Sequence, residues 1–525
     1  MAVRAFSTTL LGIEAVPIDV ETEVISGLRR FTIVGLPDGV VREAKDRVRC
    51  ALENSGFQFP HEEVIVSLAP AALPKLGSGF DVAIALSVLA GGGGIDPVLL
   101  DDLVFVGELA LDGRIKEVGS ELASAILVQK SRKKRTLVVS TGARTLLEKF
   151  SGLSIVYAGS FLDLVARLKG GTLDNPGYVL NLSVKEPERI DSIPTFRDVV
   201  GQHAAKRALQ IAAAGGHNLL MVGPPGGGKT MLAERFASIL PPLSNEEFLE
   251  VNQIYSALRG QGISDGSNNR VVYHRPFRAP HHSTSLAGLI GGGGMPLPGE
   301  VTLSHKGILF LDEFTELRRD VMESLREPLE SKKVTISRAK MRITYPCDFM
   351  FIAAMNPCPC GKRGVVSEES RQHGRFRTLC DCPPQVVQRY VKKLSGPIMD
   401  RLDLQLWIPQ VPFKDLRIAE PEDVTEKLRD GVIQARVRQE NRFQSNARLN
   451  SAMTGEEVRN FCVLDSAGEQ LLDAASSKFS LSARAYSRIL KLARTIADIE
   501  GEESISPQCI AEAISYRVQL ATHLG

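Results

Sequence analysis

Apolar residues recur along this chain in two rhythms, and the change of rhythm divides it. Through residue 170, short strand-like runs at Val64–Leu68, Val104–Gly107 and Thr136–Ser140 are separated by longer helical stretches around Val40–Asn54 and Phe80–Leu89. Short runs bounded by turns predict strands and longer apolar segments predict helices, so residues 1–170 are expected to form an α/β domain. Gly91–Gly94 followed by Asp96-Pro97 marks a loop inside it. Residues 171–195 carry Asn175-Pro176-Gly177, Pro187 and Pro194 among scattered charges, the composition of a linker. Residues 196–411 alternate helical segments with short apolar strands, which predicts a parallel sheet with crossover helices. From residue 412 the strand signals fade, and a helical domain is expected over 412–525.

Composition narrows the class without choosing the function. At 525 residues, 43% hydrophobic and 24% charged, the chain is an ordinary soluble type with several cores. A net charge of +2 leaves no global field for a polyanion, so any such site must be a local patch. No apolar stretch approaches the ~20 residues that span a bilayer. Glu14 and Asp19 interrupt the run a signal peptide would need, so the expected location is the cytoplasm, with no membrane partner. Eight cysteines in a chain of this length do not make a disulfide scaffold and are expected as thiols or metal ligands.

The sharpest chemistry lies at Gly223-Pro224-Pro225-Gly226-Gly227-Gly228-Lys229-Thr230, which fits G-x-x-x-x-G-K-[ST] without a mismatch. The strand run Leu219–Val222 precedes it, and Met231–Leu240 can form the helix that follows. Glycines let backbone N–H groups turn onto phosphate oxygens, and the helix N-terminus adds a favourable dipole. Lys229 would reach the β and γ phosphates of ATP, and the Thr230 hydroxyl would hold Mg²⁺. Downstream, Gly307–Glu313 is an apolar strand ending in two carboxylates. Asp312 is expected in the Mg²⁺ shell and Glu313 as the group that polarises the attacking water. A third strand, Phe349–Met355, ends at Asn356, whose amide can orient that water.

This three-strand arrangement resembles the P-loop, Walker B strand and sensor 1 of AAA+ ATPases. Ser395–Asp403 resembles the arginine-finger region of the magnesium chelatase and MCM branch, which implies that Arg401 reaches a neighbouring subunit's γ-phosphate and that the chain forms a homo-oligomer, usually a hexamer. Ser482-Ala483-Arg484 matches the sensor 2 position, implying a γ-phosphate contact for Arg484. That arginine begins a basic stripe with Arg488 and Lys491 on the predicted helix Leu481–Glu500, and the latter two read as a solvated face.

Between Lys332 and Tyr345, apolar and polar residues alternate around Ser337-Arg338, predicting a β-hairpin with its tight turn there and with Lys340 and Arg342 on one face of the returning strand. It resembles the pre-sensor 1 hairpin that projects into the pore in this branch, where a ring of basic hairpins would draw in DNA. Arg275–Ser283 and Gly291–Gly294 fall where the branch carries its helix 2 insert, and the pair His281-His282 reads as part of that insertion rather than as metal ligands. Cys358-Pro-Cys360 and Cys380-Asp-Cys382 fit a tetrahedral zinc site, and equally four free thiols or a redox pair.

Taken together, RPFRAPHHSTS, GILFLDE, NPCPCG, the Cys380–Cys382 segment, Phe31–Asp38 and Phe105–Leu109 resemble the YifB/ComM family of magnesium-chelatase-like AAA+ proteins over nearly the whole chain. The resemblance implies an AAA+ core with a helical lid, preceded by a domain like those of Lon protease and RadA. It further implies a hexameric helicase driving branch migration of DNA during natural transformation, working with recombination proteins. Set against the Lon nucleophile loop, Gly79 occupies the serine position, Leu122 the lysine position, and Ser78 is one residue off, so a protease is disfavoured and the domain reads as a scaffold. The alternative is a chelatase-type motor that remodels a protein partner.

Overall fold

The computed structural model describes residues 2–131, 133, 135–148, 152–173, 193–260, 271–293, 296–338, 341–365, 379–410, 423–445, 448–479 and 481–524. Its compact units do not follow chain order. One joins Met1–Glu186 to Ser244–Tyr273 and Ser337–Tyr345; the other contains Pro187–Leu243, His274–Ile336 and Pro346–Gly525.

In the first unit, strands β1 (Val3–Leu11), β2 (Glu14–Ile25), β3 (Arg30–Val34), β4 (Glu63–Ala69), β5 (Leu103–Val106), β6 (Thr136–Ser140) and β7 (Ile155–Ala158) form a seven-stranded mixed sheet in the order β3-β4-β2-β1-β5-β6-β7. β1 and β2 pair antiparallel from Val3↔Thr22 to Leu11↔Glu14, closed by a tight turn in which Gly12 takes φ +69°. The helix Gly39–Asn54 buries Val41, Ala44, Val48, Ala51 and Leu52, a stripe at spacings of three and four, and the Asp38 carboxylate caps it by accepting from Val41 N at 2.7 Å. The helix Asp81–Gly91 is buried from Asp81 to Ala90, so in sequence it reads as an apolar run from Val82 to Ala90 interrupted only at Ser87. A later segment completes this unit. The helix Asn245–Gly260 donates through Gln253 Nε2 to Ile13 O at 2.9 Å.

The strands of the second sheet and of a separate hairpin are β8 (Leu219–Val222), β9 (Phe277–Arg278), β10 (Ile308–Leu311), β11 (Lys333–Arg338), β12 (Met341–Pro346), β13 (Met350–Met355) and β14 (Leu404–Trp407). In the second unit β9-β10-β13-β8-β14 form a five-stranded sheet in which every neighbouring pair is parallel. All residues of β8, β10 and β13 are buried. That is the expected state of a parallel sheet covered on both faces, and it explains why these strands are continuous apolar runs without alternation. The registers Val222↔Met355 and Leu311↔Ala353 bring the carboxyl ends of β8, β10 and β13 to one edge, where open α/β sheets bind ligands.

β11 and β12 form the expected two-stranded hairpin, with one correction. Ser337 and Arg338 belong to β11 rather than to the turn, because the strand continues to Arg338 before the chain returns at Met341. Arg342 is exposed on the returning strand, between the half-buried Met341 and the buried Ile343. Lys340 lies outside the described residues.

The C-terminal helices Thr425–Phe443 and Ala483–Glu500 meet around a buried acid. Asp498, 0% exposed, accepts from Arg442 Nη1 at 2.8 Å, Asn450 Nδ2 at 2.8 Å and Arg494 Nε at 3.2 Å. Removing it strands two guanidinium groups, of which Arg494 is only 3% exposed. Asp498→Ala is therefore expected to destabilise this helical region by about 3–5 kcal/mol, seen as an earlier transition in a thermal melt.

Candidate active site

The turn between β8 and the helix Lys229–Phe236 is shaped by its glycines. Gly226 and Gly228 take φ +76° and +85°, a backbone state in which side chains are strained, and a Cβ on Gly223 would meet Ile408 O at 2.1 Å. A loop without side chains at these positions leads directly into the helix N-terminus at Lys229, where backbone N–H groups can meet an anion. Lys229 is 8% exposed and folds back, donating to Gly223 O at 2.8 Å, Pro224 O at 3.1 Å and Asn356 Oδ1 at 3.3 Å. Burial pushes its ammonium pKa down, while the Asp312 and Glu313 carboxylates oppose that fall. Three oxygens hold this cation where triphosphate oxygens can replace them. Gln202 and Gln410 brace the loop from outside, donating to Gly227 O at 3.3 Å and Pro225 O at 3.2 Å.

The Thr230 hydroxyl donates to Asp312 Oδ2 at 2.6 Å. A hydroxyl and a carboxylate so placed are hard oxygen donors on one side of a cation position, which fits Mg²⁺. Lys229, Thr230, Asp312 and Asn356, drawn from three strand ends, are thus brought together. Glu313 follows with φ +48°, turning its side chain away from the strand direction, and its Oε2 lies 3.0 Å from His282 Nδ1. His282, expected only as part of an insertion, is thus a neighbour of the candidate base. It comes from the loop after β9, and its ring packs on His281 with centroids 4.0 Å apart.

Arg401 is not among these groups. Its guanidinium is paired with Glu330, donates through Nη1 to Pro397 O at 2.7 Å, and is 11% exposed. The acids that flank it in sequence, Asp400 and Asp403, are not its partners in these contacts. Arg401 holds the Glu330 carboxyl below the usual range, with lesser help from Arg484 and Arg326. Arg484 is exposed in the first turn of Ala483–Glu500, capped by Ser482, whose Oγ accepts from Ala485 N at 3.2 Å. A cation at the positive end of a helix is unfavourable unless an anion joins it. Arg401 is the ion-pair partner of Glu330, and the charge of Arg484 acts on the same carboxylate more weakly.

The basic stripe after Arg484 is a correction. Arg488 is not solvated: it pairs with Asp403, a carboxylate that also accepts from Asn218 N at 3.1 Å and lies 3.5 Å from His217. Burial alone would raise the Asp403 carboxyl, but His217 and Arg488 hold it well below the usual range. Lys491 is buried enough to lower its pKa and donates to Ser451 O at 3.0 Å. Both residues tie the helix to its surroundings.

Comparison with known proteins decides the assignment. Residues 195–416 match the family model "Magnesium chelatase, subunit ChlI", residues 20–142 match "Subunit ChlI of Mg-chelatase", and residues 422–517 match its C-terminal model. The uncharacterized protein YifB of Salmonella typhimurium is 41% identical over 518 residues, covering 98% of this chain and 97% of the relative. The competence protein ComM of Haemophilus influenzae is 38% identical over 526 residues, covering 98% and 97%. The chain belongs to the YifB/ComM family of magnesium-chelatase-like AAA+ proteins. Lon protease 2 of Bacillus subtilis is 31% identical over 172 residues, 30% of this chain and 29% of the relative. Family and fold agree on an AAA+ core preceded by a Lon-like α/β domain, and they imply ATP and Mg²⁺ as ligands of the site. No helix among the described residues is long and apolar enough to cross a membrane.

Two further places in this YifB/ComM chain bear on chemistry. In the Lon-like unit the Ser78 hydroxyl donates to Glu108, while Gly79 and the fully buried Leu122 occupy the positions that resemblance assigns to the hydrolytic pair. In the AAA+ core the four cysteines converge: their sulfurs all lie within 4.8 Å of one another, with Cys358–Cys360 at 3.3 Å and Cys358–Cys380 and Cys360–Cys380 at 3.6 Å. A tetrahedral ion with bonds of about 2.3 Å sets its sulfurs about 3.8 Å apart, so these four fit zinc without rearrangement of the backbone. Burial pushes the Cys360 thiol up, but the Lys362 N–H at 3.5 Å and the neighbouring thiols outweigh it, bringing it down to about 7.

Proposed function

We propose that this protein is an ATPase that assembles as a ring, in the manner of a hexamer, and uses ATP hydrolysis to move branched or single-stranded DNA. In that reading it is a helicase driving branch migration in homologous recombination, and its work belongs to the uptake of DNA in natural transformation. The observation that carries the ATPase reading is the convergence of Lys229, Thr230, Asp312 and Asn356, with Arg401 held apart from them on Glu330. Lys229 would bind the β and γ phosphates, Thr230 and Asp312 would hold Mg²⁺, and Glu313 with Asn356 would orient and polarise the attacking water. Mg²⁺, when bound, neutralises charge developing on the transferred phosphoryl group. A finger held on Glu330, apart from its own chain's Lys229 and Asp312, supports action across a subunit boundary.

The DNA reading rests on the exposed Arg342 of the hairpin, on Lys340 beside it in sequence, and on the kinship with a competence protein. The substrate would be held by its phosphates, which makes binding dependent on salt. In a strand-displacement assay on forked or three-stranded DNA, Lys340→Ala/Arg342→Ala should lose displacement while retaining ATP hydrolysis. The same variant should lower the slope of log affinity against log salt by about two for each engaged protomer. Displacement equal to the parent protein would refute the DNA role of the hairpin and favour a protein substrate.

Zinc completes the reading as a structural ion held by Cys358, Cys360, Cys380 and Cys382, with no position left open for catalysis. It is supported by the convergence of the four sulfurs.

A further inference from the structure

The cysteine cluster touches the nucleotide loop at several points. Cys358 follows Asn356 by two residues, and Asn356 Oδ1 accepts from Lys229 Nζ at 3.3 Å. Gly361 has φ +73°, and a Cβ there would stand 2.9 Å from Cδ of Pro225, so the backbone between the two cysteine pairs rests directly on the proline of the P-loop. Gly364, φ +83°, lies against the indole of Trp407, where a Cβ would come within 2.4 Å of Cζ2. Trp407 stands opposite Val222, the last residue of β8, and the next residue, Ile408, donates its N–H to Val222 O at 2.8 Å. The carbonyl of Ile408 is the atom that excludes any side chain at Gly223. The cysteine segment thus bears on the nucleotide loop through Asn356, through Pro225 and through the Trp407–Ile408 strand end.

Among the described residues, Leu379 N donates to Val365 O at 2.9 Å, and the cysteine cluster joins Cys358 and Cys360 to Cys380 and Cys382 as a cross-link between the two sides of the segment. Two left-handed glycines contribute little rigidity of their own. A metal that binds four thiolates converts this segment from a tethered loop to a fixed cross-link, because binding free energy at such a site is also ordering free energy. Without the ion, sulfurs at these distances have only weak mutual hydrogen bonds.

We propose that zinc in the four-cysteine cradle controls the nucleotide site, fixing residues 358–365 against Pro225 and Trp407 so that the P-loop and Asn356 are set for MgATP. The inference rests on the zinc reading given above and adds to it a consequence for nucleotide binding. Removal of the metal lets Gly361 and Gly364 withdraw, and the P-loop loses the support at Pro225 while Lys229, Thr230, Asp312 and the bonds from Gln202 and Gln410 remain intact.

The chain supplies its own reporter, since Trp407 is its one tryptophan. Zinc is measured by elemental analysis in the full-length protein as purified, then stripped with dipicolinate, and the chelator is exchanged away before Mg²⁺ and a fluorescent ATP analogue are added. The expected results are one zinc per chain, a red shift of Trp407 emission on stripping, and analogue affinity weakened about tenfold, about 1.4 kcal/mol, with both signals restored by added zinc. Gly361→Ala should weaken analogue binding in the same direction while keeping its zinc, which separates support of the P-loop from metal binding. Protein that carries no zinc and takes up none when it is supplied overturns the zinc reading. Stoichiometric zinc whose removal leaves Trp407 emission and analogue affinity unchanged overturns the inference and leaves the zinc reading standing. Loss that zinc does not restore, in stripped protein that still binds zinc, also overturns it.

Discussion

Glu313→Gln should slow ATP turnover by about 10²–10³-fold while leaving MgATP affinity nearly unchanged. The substitution keeps the shape of the side chain and an oxygen that can accept from His282, 3.0 Å from the carboxylate, so the local backbone has no reason to move. Lys229, Thr230 and Asp312, whose contacts form independently of Glu313, continue to bind triphosphate and cation. What is lost is negative charge and basicity at the position that polarises water. The signature is a fall in kcat and kcat/KM by the same factor, the mark of an interaction made in the transition state. A loss of less than about tenfold would place the base elsewhere, since positioned acid–base groups contribute at least about a hundredfold.

Arg401→Ala should have an effect of similar size for a different reason. Arginine fingers supply about 10³–10⁵ in rate where they act, and on the proposed reading Arg484 would retain part of that stabilisation here. The expected loss is therefore about 10²–10³-fold in turnover, with nucleotide binding kept. The fold should tolerate the change. Glu330, the partner that Arg401 abandons, has a side chain 68% exposed, and an exposed carboxylate freed of its partner costs little. Stable protein with lost turnover is the expected combination, measured by a thermal melt beside a phosphate-release assay. The same contact orients the Arg401 guanidinium in the isolated chain, so on the proposed reading a neighbour's γ-phosphate would compete with Glu330.

The parts of the site that lie next to one another in sequence were legible there. Gly223–Thr230 carries its own turn chemistry, and buried parallel strands announce β8, β10 and β13 as unbroken apolar runs ending at Lys229's loop, at Asp312 and at Asn356. The four cysteines were legible as two pairs, although their convergence depends on the fold of the segment that joins them. His282 and Glu330 were not legible, because each acts through a partner remote in the chain and neither residue type is distinctive where it stands. Arg488 and Lys491 show the opposite failure. A basic stripe on a helix reads alike whether it faces water or Asp403 and Ser451, since lysine and arginine stems can be buried while their heads find acceptors. The hairpin was visible from its alternation, whereas its turn was misplaced because strand period two does not say where a strand ends. Nor could local pattern foresee that Asn245–Gly260 would join the unit built on β1–β7, a matter decided by close backbone approach at Gly119 and Gly260.

Mixing two disabled proteins tests the subunit-boundary mechanism most directly. Lys229→Ala protomers cannot hold nucleotide but keep Arg401, and Arg401→Ala protomers hold nucleotide but offer no finger. Each alone should turn over ATP at a small fraction of the parent rate. Combined in equal amounts and allowed to exchange, they should recover toward roughly a quarter of it, the share of boundaries that pair an intact nucleotide loop with an intact finger around a closed ring. No recovery at any ratio in mixed rings, or full turnover by Arg401→Ala alone, would contradict the account.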